Sequence, residues 1–251
     1  MRQNSIKMSL PKVEYQDLGR IRYQTAWDYQ FETIKKVIDL KREVRDGDPS
    51  VSEPIFKENL IKTQLNYLLF CEHNPVYTLG KSGCLDNLLL NETQLTERGI
   101  EFFKINRGGD ITYHGDGQIT GYPIFDLDCF FTDVHKYVRS LEEVMIRTIA
   151  EYGLEGTRIK DFTGVWLENG DKKRKICAIG VHLSRWVTMH GFALNVNTPL
   201  DFFKNIVPCG IDDADKTVTS LAAELGRDVD LEEVKERVKK HFADVFGFEF
   251  V

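Results

Sequence analysis

Residues 163–196, TGVWLENGDKKRKICAIGVHLSRWVTMHGFALNV, contain three apolar runs of strand type separated by turn-forming residues. Asn169-Gly170 lies between the first and second runs, and Ser184-Arg185 lies between the second and third. An Asn-Gly pair between two strand-like runs is a strong signal for a β-hairpin. This stretch therefore predicts three consecutive antiparallel strands.

Helical patterns flank this meander on both sides. Residues 26–47 place Trp27, Phe31, Ile34 and Ile38 at intervals of three and four, which is the spacing of one helix face. Further helices are predicted in 132–156 and 230–246, and further strands in 64–73, 76–80, 100–106 and 119–127. Because the strands arrive in hairpins rather than in β-α-β units, we expect an α/β protein of the α+β type. Its sheet should be mixed and largely antiparallel, with flanking helices.

Composition narrows the class of protein. The chain has 251 residues, 42% of them hydrophobic, so we expect one domain over residues 1–251. A net charge of −6 argues against general nucleic-acid binding, which usually needs a basic face. No run approaches the roughly 18 apolar residues of a membrane span, and the N-terminus lacks a signal-peptide pattern, so a cytoplasmic protein without membrane contact is expected. Five cysteines without a CxxC pair predict reduced thiols and no structural zinc site.

Residues 107–118, RGGDITYHGDGQ, hold four glycines beside one arginine and one histidine. Neither standard phosphate-binding pattern fits, because the third glycine of GxGxxG would fall at Thr120 and the Gly-Lys-Ser/Thr of a P-loop is missing. Two interpretations remain, namely two tight turns around a hairpin or a ligand site. The mixture of glycine with Arg107, Tyr113 and His114 favours a site that holds a polar group against exposed backbone.

Cys209 lies between Pro208 and Gly210, which predicts a thiol held in an exposed turn. The other cysteines, at 71, 84, 129 and 177, are expected to be buried and inert. Lys175 ends a basic run whose other members, Lys172, Lys173 and Arg174, are assigned to a solvated hairpin tip. If the fold brings Lys175 beside Cys209, its ammonium favours the thiolate. Sequence spacing leaves that contact open.

Five motifs occur in a fixed order, and together they resemble the lipoyl(octanoyl) transferases, the octanoyl-acyl carrier protein:protein N-octanoyltransferases. They are EHNPVYTLG (72–80), RGGDITYHGDGQITGYPIFDL (107–127), KICAIGVH (175–182), HGFALNV (190–196) and PCGI (208–211). The resemblance runs from about residue 20 to about residue 225, with 46–62 interpreted as an insertion. Asp116 stands where this family usually has proline. The resemblance implies the fold of the biotin and lipoate protein ligases.

The resemblance also implies the reaction and the roles of residues. Cys209 would be the nucleophile that takes an octanoyl or lipoyl group from acyl carrier protein as a thioester, and Lys175 would lower the thiol pKa and act as acid and base. The acceptor would be a lysine of an apo lipoyl domain, in 2-oxoacid dehydrogenase E2 subunits or the glycine cleavage H protein. No cofactor and no metal are expected. The implied substrate-binding residues are Arg107, Gly108, Gly109, Asp110, Ile111, Thr112, Tyr113, His114, Ala178, Ile179, Gly180, Gly191, Phe192 and Ala193.

Two other functions stay open at this point. An ATP-dependent lipoate or biotin ligase would adenylate a free acid and would not need Cys209. A non-catalytic acyl-binding module would survive the loss of both Lys175 and Cys209. For His114, direct contact with substrate and a structural role in the glycine-rich stretch are equally open.

Overall fold

The computed structural model describes residues 10–46, 65–207 and 215–251. Its strands are β1 (Lys12–Ile21), β2 (Leu65–His73), β3 (Val76–Leu79), β4 (Glu101–Lys104), β5 (Ile111–His114), β6 (Gln118–Ile124), β7 (Gly156–Ile159), β8 (Phe162–Asn169), β9 (Lys172–Ser184), β10 (Val187–Asn195), β11 (Lys216–Val218) and β12 (Glu249–Phe250). Its α-helices are α1 (Tyr23–Asp46), α2 (Glu92–Glu97), α3 (Val134–Ala150), α4 (Leu221–Leu225) and α5 (Leu231–Phe246). Short 3-10 turns lie at Leu85–Asn87, Leu127–Cys129 and Leu200–Asn205.

The predicted meander forms the strands β8, β9 and β10, joined antiparallel at the expected turns. They belong to a nine-stranded sheet of order β12-β1-β2-β6-β10-β9-β8-β7, with β11 also paired to β9. The pairs from β2 to β7 in this order are antiparallel, whereas β1 pairs in parallel with both β2 and β12. The prediction of a mixed, largely antiparallel sheet with flanking helices is therefore confirmed.

One premise of that prediction was wrong. Strands β1 and β2 run parallel and are separated in sequence by α1, so this part of the chain is a crossover and not a hairpin. The strand at 12–21 was not predicted, because Gly19 and several charged side chains interrupt its apolar alternation, and its register shifts between Asp17 and Arg20. The segment 46–62, interpreted as an insertion, lies outside the described residues apart from Asp46.

Helices cover both faces of the large sheet, and strand β2 shows how the side chains divide. Leu68 and Phe70 pack into the cluster that contains the apolar faces of α3 and α5. Leu69 and Cys71 point the other way, into the cluster beneath α1. Because β2 is buried on both faces, it reads as a continuous apolar run instead of an alternating one.

The aromatic ring of Phe192 lies on the face of this sheet that α3 and α5 cover. It lies 5.7 Å from the ring of Phe242 in α5 and 5.8 Å from that of Phe70, measured between centroids. A Cβ at Gly121, the partner of Phe192 across the strand pair, would stand 2.1 Å from this ring. The ring therefore occupies the space that a side chain at position 121 would need.

Two apolar helix residues are exposed. In α3, Tyr137, Leu141, Val144 and Ile149 are buried, but Val134 is 41% exposed because it lies in the first turn, directly after the N-cap Asp133. In α1, Phe31, which was predicted on one helix face with Trp27, is 44% exposed, and its ring lies 5.7 Å from the Trp27 ring. Among the cysteines, Cys71, Cys129 and Cys177 are buried, whereas Cys84, expected to be buried, is exposed. It precedes the 3-10 turn Leu85–Asn87, which has no buried residue.

A smaller sheet, of order β4-β3-β5, packs beside the large one. Its last strand, β5, lies inside the glycine-rich stretch 107–118 and pairs with β3, whereas the next strand, β6, pairs with β2 and β10. The stretch therefore connects the two sheets instead of turning within a hairpin. The cluster of Tyr77, Leu79, Ile111 and Phe203 forms much of its core. Within the three described ranges, no helix combines the length and apolar character that crossing a membrane requires.

Removing a buried side chain of α3 should test this packing. Leu141 is fully buried, so we expect Leu141→Ala to lower the free energy of unfolding by about 2–5 kcal/mol. Leu40→Ala, at a position 43% exposed on α1, is the matched control and should change it by less than about 1 kcal/mol. Urea denaturation measures both variants, and equal losses would contradict the assigned core.

Candidate active site

A cleft separates strands β9 and β10 of the large sheet from the glycine-rich stretch 107–118. Small residues form the sheet side of this cleft, with Ala178 opposite Ala193 and Gly180 opposite Gly191 across the strand pair. Residues 109–112 and His114 line it from the glycine-rich side. At these four positions of the sheet, small or absent side chains leave the backbone of β9 and β10 close to the cleft.

Gly180 allows the two sides to approach closely. A Cβ there would lie 2.8 Å from the carbonyl oxygen of Gly108 and 3.0 Å from Cδ of Arg107. The Gly108 amide donates to the carbonyl of Val181 at 2.9 Å, which ties the glycine-rich stretch directly to β9. Any larger residue at position 180 would push this stretch away from the sheet.

Gly117 makes the second attachment, at the other end of the stretch. Its φ is +69°, a conformation that residues with a Cβ seldom adopt. In this conformation its carbonyl accepts hydrogen bonds from the amides of Val196 at 3.2 Å and Asn197 at 2.8 Å. Neighbouring Asp116, in the place of the family's proline, forms an ion pair with Arg20 at 2.8 Å.

Arg107 is a cleft residue that is only 8% exposed. Its Nη2 donates to the carbonyl oxygen of Thr78 at 2.7 Å and to Oγ1 of Thr78 at 3.0 Å, and its Nη1 donates to the Gly108 carbonyl at 3.0 Å. Arg107 therefore fixes the start of the glycine-rich stretch to β3. It also brings a permanent positive charge into the cleft.

Lys175 enters the cleft from β9 and is 6% exposed. Its Nζ lies 4.6 Å from the centroid of the Trp166 ring, a cation–π contact across the β8–β9 pair. Phe203 and Val218, on either side of the segment 208–214, also line the cleft. Cys209 lies in that segment, outside the described residues, so its contact with Lys175 stays a prediction.

The basic run before Lys175 is less solvated than predicted. Lys172 is exposed, but Arg174 makes two hydrogen bonds to the carboxylate of Glu224, at 2.7 and 3.0 Å. Lys173 lies 3.5 Å from Asp215. The assignment of Arg174 to a free hairpin tip was therefore wrong, because α4 supplies it with a carboxylate.

Three buried histidines surround the inner part of the cleft. Burial lowers the pKa of His73 to about 4 and that of His190 to about 3. Burial, together with nearby His73 and Arg107, lowers the pKa of His114 well below its ordinary value. His73 contacts the Tyr122 hydroxyl at 2.6 Å, and His190 contacts Asn106 at 2.9 Å. All three side chains are therefore neutral near pH 7.

Most of the predicted site residues meet at this cleft. They are Arg107, Gly109, Asp110, Ile111, Thr112, His114, Lys175, Ala178, Ile179, Gly180, Gly191, Phe192 and Ala193. Gly108 is absent from the lining and instead bonds to β9 through its amide. The Tyr113 side chain points away into the core of the small sheet, where its ring stacks on Phe202 at 4.6 Å.

Sequence reasoning missed nine residues that line the same cleft. They are Tyr23, Gln118, Thr120, Tyr122, Thr163, His190, Asn195, Phe203 and Val218. Gln118, Tyr122, His190 and Asn195 lie inside the quoted motifs, so a signal for them was present. Tyr23 and Phe203 come from distant segments that carry no local motif. Across residues 10–46, 65–207 and 215–251, no group of three His, Cys, Asp or Glu side chains is arranged to hold a metal ion.

The fold defines the class of protein. The chain superposes on a structure of the bi-partite lipoate protein ligase and its E2 lipoyl domain from Thermoplasma acidophilum, with a TM-score of 0.64 and 16% identity, covering 97% of this chain and 86% of that one. A lipoate-protein ligase A bound with ATP gives a TM-score of 0.61 and 14% identity, covering 96% and 87%. At these identities the likeness shows the fold alone, which is that of the lipoate protein ligases, as predicted.

Sequence similarity then gives the family. The sequence model of the family described as lipoyl protein ligase A/B catalytic domain matches residues 50–243. The chain therefore belongs to this family. It is similar to the octanoyltransferase of Flavobacterium johnsoniae, at 57% identity over 96% of this chain and 99% of that protein. It is also 49% identical to the octanoyltransferase of Parabacteroides distasonis, over 93% and 98% of the two chains. The resemblance inferred from the five motifs is confirmed.

The neutral histidines predict a pH dependence of stability. A histidine whose folded pKa is depressed contributes stability that is complete above its unfolded pKa of about 6.5 and is lost as the pH falls towards its folded pKa. For His73 and His190 the loss should begin near pH 6.5 and end near 4 and 3. We expect the free energy of unfolding to fall by up to about 1.4 kcal/mol per pH unit for each such histidine.

Chemical denaturation between pH 7 and 5 measures this slope. His190→Gln should make the slope of the unfolding free energy against pH less steep by the contribution of one histidine, because glutamine does not titrate. His135→Gln, at an exposed position on α3, is the control and should leave the slope unchanged. If substitution of His73, His114 or His190 in turn left the slope unchanged in every case, their assignment as neutral side chains would be contradicted.

Proposed function

We propose that this protein is an octanoyltransferase that moves an octanoyl or lipoyl group from acyl carrier protein to a lysine of an apo lipoyl domain. One observation carries the proposal: three of the five motifs, at 107–127, 175–182 and 190–196, contribute residues to a single cleft that includes Lys175, in a chain 57% identical to an octanoyltransferase. In the sequence, the PCGI motif (208–211) begins five positions after the cleft residue Phe203, which supports a cysteine nucleophile for this cleft.

The shape of the cleft suits a linear acyl chain. Five positions of strand β9 separate Lys175 from Gly180, a length of about 16 Å at about 3.3 Å per residue. An extended eight-carbon acyl chain needs about 9 Å, at about 1.3 Å per carbon–carbon bond of ordinary length and angle. The small side chains of Ala178 and Ala193 leave space for it, and Ile111 adds apolar contact.

The chemistry proceeds through an acyl-enzyme in two balanced steps. The Cys209 thiolate forms a bond to the carbonyl carbon of the donor thioester, the donor carbon–sulfur bond breaks, and the departing pantetheine thiolate takes a proton from the Lys175 ammonium. In the second step the acceptor amine attacks the Cys209 thioester, Cys209 leaves as a thiolate, and neutral Lys175 takes the amine proton. The pair thus returns to its starting charges.

The donor and acceptors follow from this assignment and stay predictions. They are octanoyl-acyl carrier protein, the lipoyl domains of 2-oxoacid dehydrogenase E2 subunits, and the glycine cleavage H protein. No cofactor is required, since the donor thioester supplies the activated acyl group. A single catalytic domain and a cytoplasmic location are likewise predictions.

The ATP-dependent ligase is not favoured. Relatives at 47–57% identity are octanoyltransferases, whereas the two solved lipoate protein ligases described above are only 14–16% identical to this chain. A ligase would also leave Cys209 without a chemical role.

Intact-mass analysis tests the acyl-enzyme. After brief incubation with octanoyl-acyl carrier protein and no ATP, we expect one octanoyl adduct on the wild-type protein that hydroxylamine removes. Cys209→Ser should lack the labile adduct, and Lys175→Ala should form it about 10²–10⁴ times more slowly, because its acid–base group is missing. Near-UV circular dichroism of both variants controls for folding. Modification of a lipoyl domain from octanoate and ATP, without any adduct, would establish the ligase instead.

Charge reversal tests where the carrier protein docks. Acyl carrier proteins are typically acidic, and Lys172 and Lys173 lie next to Lys175 at the exposed end of β9. We expect Lys172→Glu/Lys173→Glu to lower kcat/KM for octanoyl-acyl carrier protein by about 3- to 10-fold at low salt, with octanoyl-pantetheine unaffected. Arg174 is left intact because it binds Glu224. Lys35→Glu/Lys36→Glu, an adjacent exposed pair on α1, is the matched control, and an equal effect there would reject the docking surface.

A further inference from the structure

Two buried amide side chains, Gln118 and Asn195, lie opposite each other on β6 and β10. Gln118 Nε2 contacts the carbonyl oxygen of Tyr113 at 3.1 Å, and Asn195 Nδ2 contacts the carbonyl oxygen of Thr219 at 2.9 Å. A carbonyl oxygen only accepts hydrogen bonds, so these two contacts determine which end of each amide is nitrogen. Gln118 Nε2 then also donates to Asn195 Oδ1 at 2.9 Å, which is consistent with both orientations.

This orientation of Gln118 determines the tautomer of His114. Gln118 Oε1 lies 2.8 Å from Nδ1 of His114, and because Oε1 is an acceptor, Nδ1 must carry the hydrogen. Nε2 is then an acceptor and faces Oγ1 of Thr78 at 3.4 Å. That oxygen in turn accepts from Arg107 Nη2 at 3.0 Å. The donated hydrogens thus point one way along the whole path from Arg107 to Thr219.

The surroundings of His114 disfavour its protonation. The ring of Tyr23, a residue of α1, stacks on the His114 ring with the two centroids 6.1 Å apart. The ring of His73, a residue of β2, meets the His114 ring edge-on with the centroids 5.8 Å apart. Burial is the main cause that lowers the pKa of His114. The pKa is lowered further by the His73 ring, by the charged guanidinium of Arg107 in the glycine-rich stretch, and by the His190 ring in β10. A second hydrogen, on Nε2, would place a positive charge facing Arg107. It would also force the Thr78 hydroxyl to turn, so that Oγ1 accepts from both Nε2 and Arg107.

We infer that Gln118 and Asn195 are positioning residues that hold His114 as the neutral Nδ1–H tautomer, so that His114 orders the glycine-rich stretch and takes no proton during acyl transfer. Its role in transfer depends on the proposed function, but the tautomer does not. This assignment leaves Lys175 to carry the protons of both half-reactions. Of the two roles that the sequence left open for His114, it supports the structural one.

Nitrogen-15 NMR of the histidine side chains in the full-length protein tests the tautomer directly. We expect His114, assigned by its loss in His114→Asn, to show protonated Nδ1 and unprotonated Nε2 throughout about pH 5–8. In Gln118→Glu a carboxylate replaces the amide, so the same ring should gain a second proton within this range. A wild-type ring with hydrogen on Nε2, or one that titrates near pH 6.5, would overturn the inference.

The pH profile of acyl transfer separates positioning from base catalysis. An asparagine at position 114 keeps an N–H near the place of Nδ1 and does not titrate, so we expect about a 10-fold lower kcat with an unchanged profile. Gln118→Glu should shift the acidic limb of the profile. Loss of that limb in His114→Asn, together with a fall in kcat beyond about 10²-fold, would make His114 a base and contradict the inference. Absence of octanoyl transfer by the wild-type protein, with the tautomer intact, would reject the proposed function alone.

Discussion

The close approach of the glycine-rich stretch to strand β9 is the constraint on which the rest of the site depends. A Cβ at Gly180 would lie 2.8 Å from the Gly108 carbonyl, so the two backbones meet only because this position has no side chain. Two backbone hydrogen bonds hold the ends of the stretch in place. The Gly108 amide donates to the Val181 carbonyl at one end, and the Asn197 amide donates to the Gly117 carbonyl at the other. The cleft lies between these two attached segments, with residues of both in its lining.

Buried polar groups join the two sheets across this cleft. Arg107 donates to Thr78 of the small sheet. In the large sheet, Gln118 donates to Asn195, which in turn donates to the carbonyl of Thr219. Unpaired buried polar groups are costly, so each partner restricts the orientation of the next. The buried polar side chains around the cleft are in this sense held in place by one another before a substrate arrives.

Much of this architecture could be predicted from the sequence, and the failures have physical causes. The meander β8–β10 was predictable because turn residues and apolar alternation are local signals. Strand β1 was not, since its pairing with β2 is set by distant contacts across α1. Tyr113 was expected at the site with its neighbours, but alternate strand residues face opposite sides, and the Tyr113 ring packs away from the cleft on Phe202. Phe203 reaches the cleft from a 3-10 turn that carries no recognisable motif.

Phe192 links the cleft to a part of the molecule that never touches a substrate. Its backbone lines the cleft, while its ring packs against Phe242 of α5 on the opposite face of the sheet. The packing of α5 and the position of the cleft wall therefore depend on one residue, although they lie on opposite faces of the sheet.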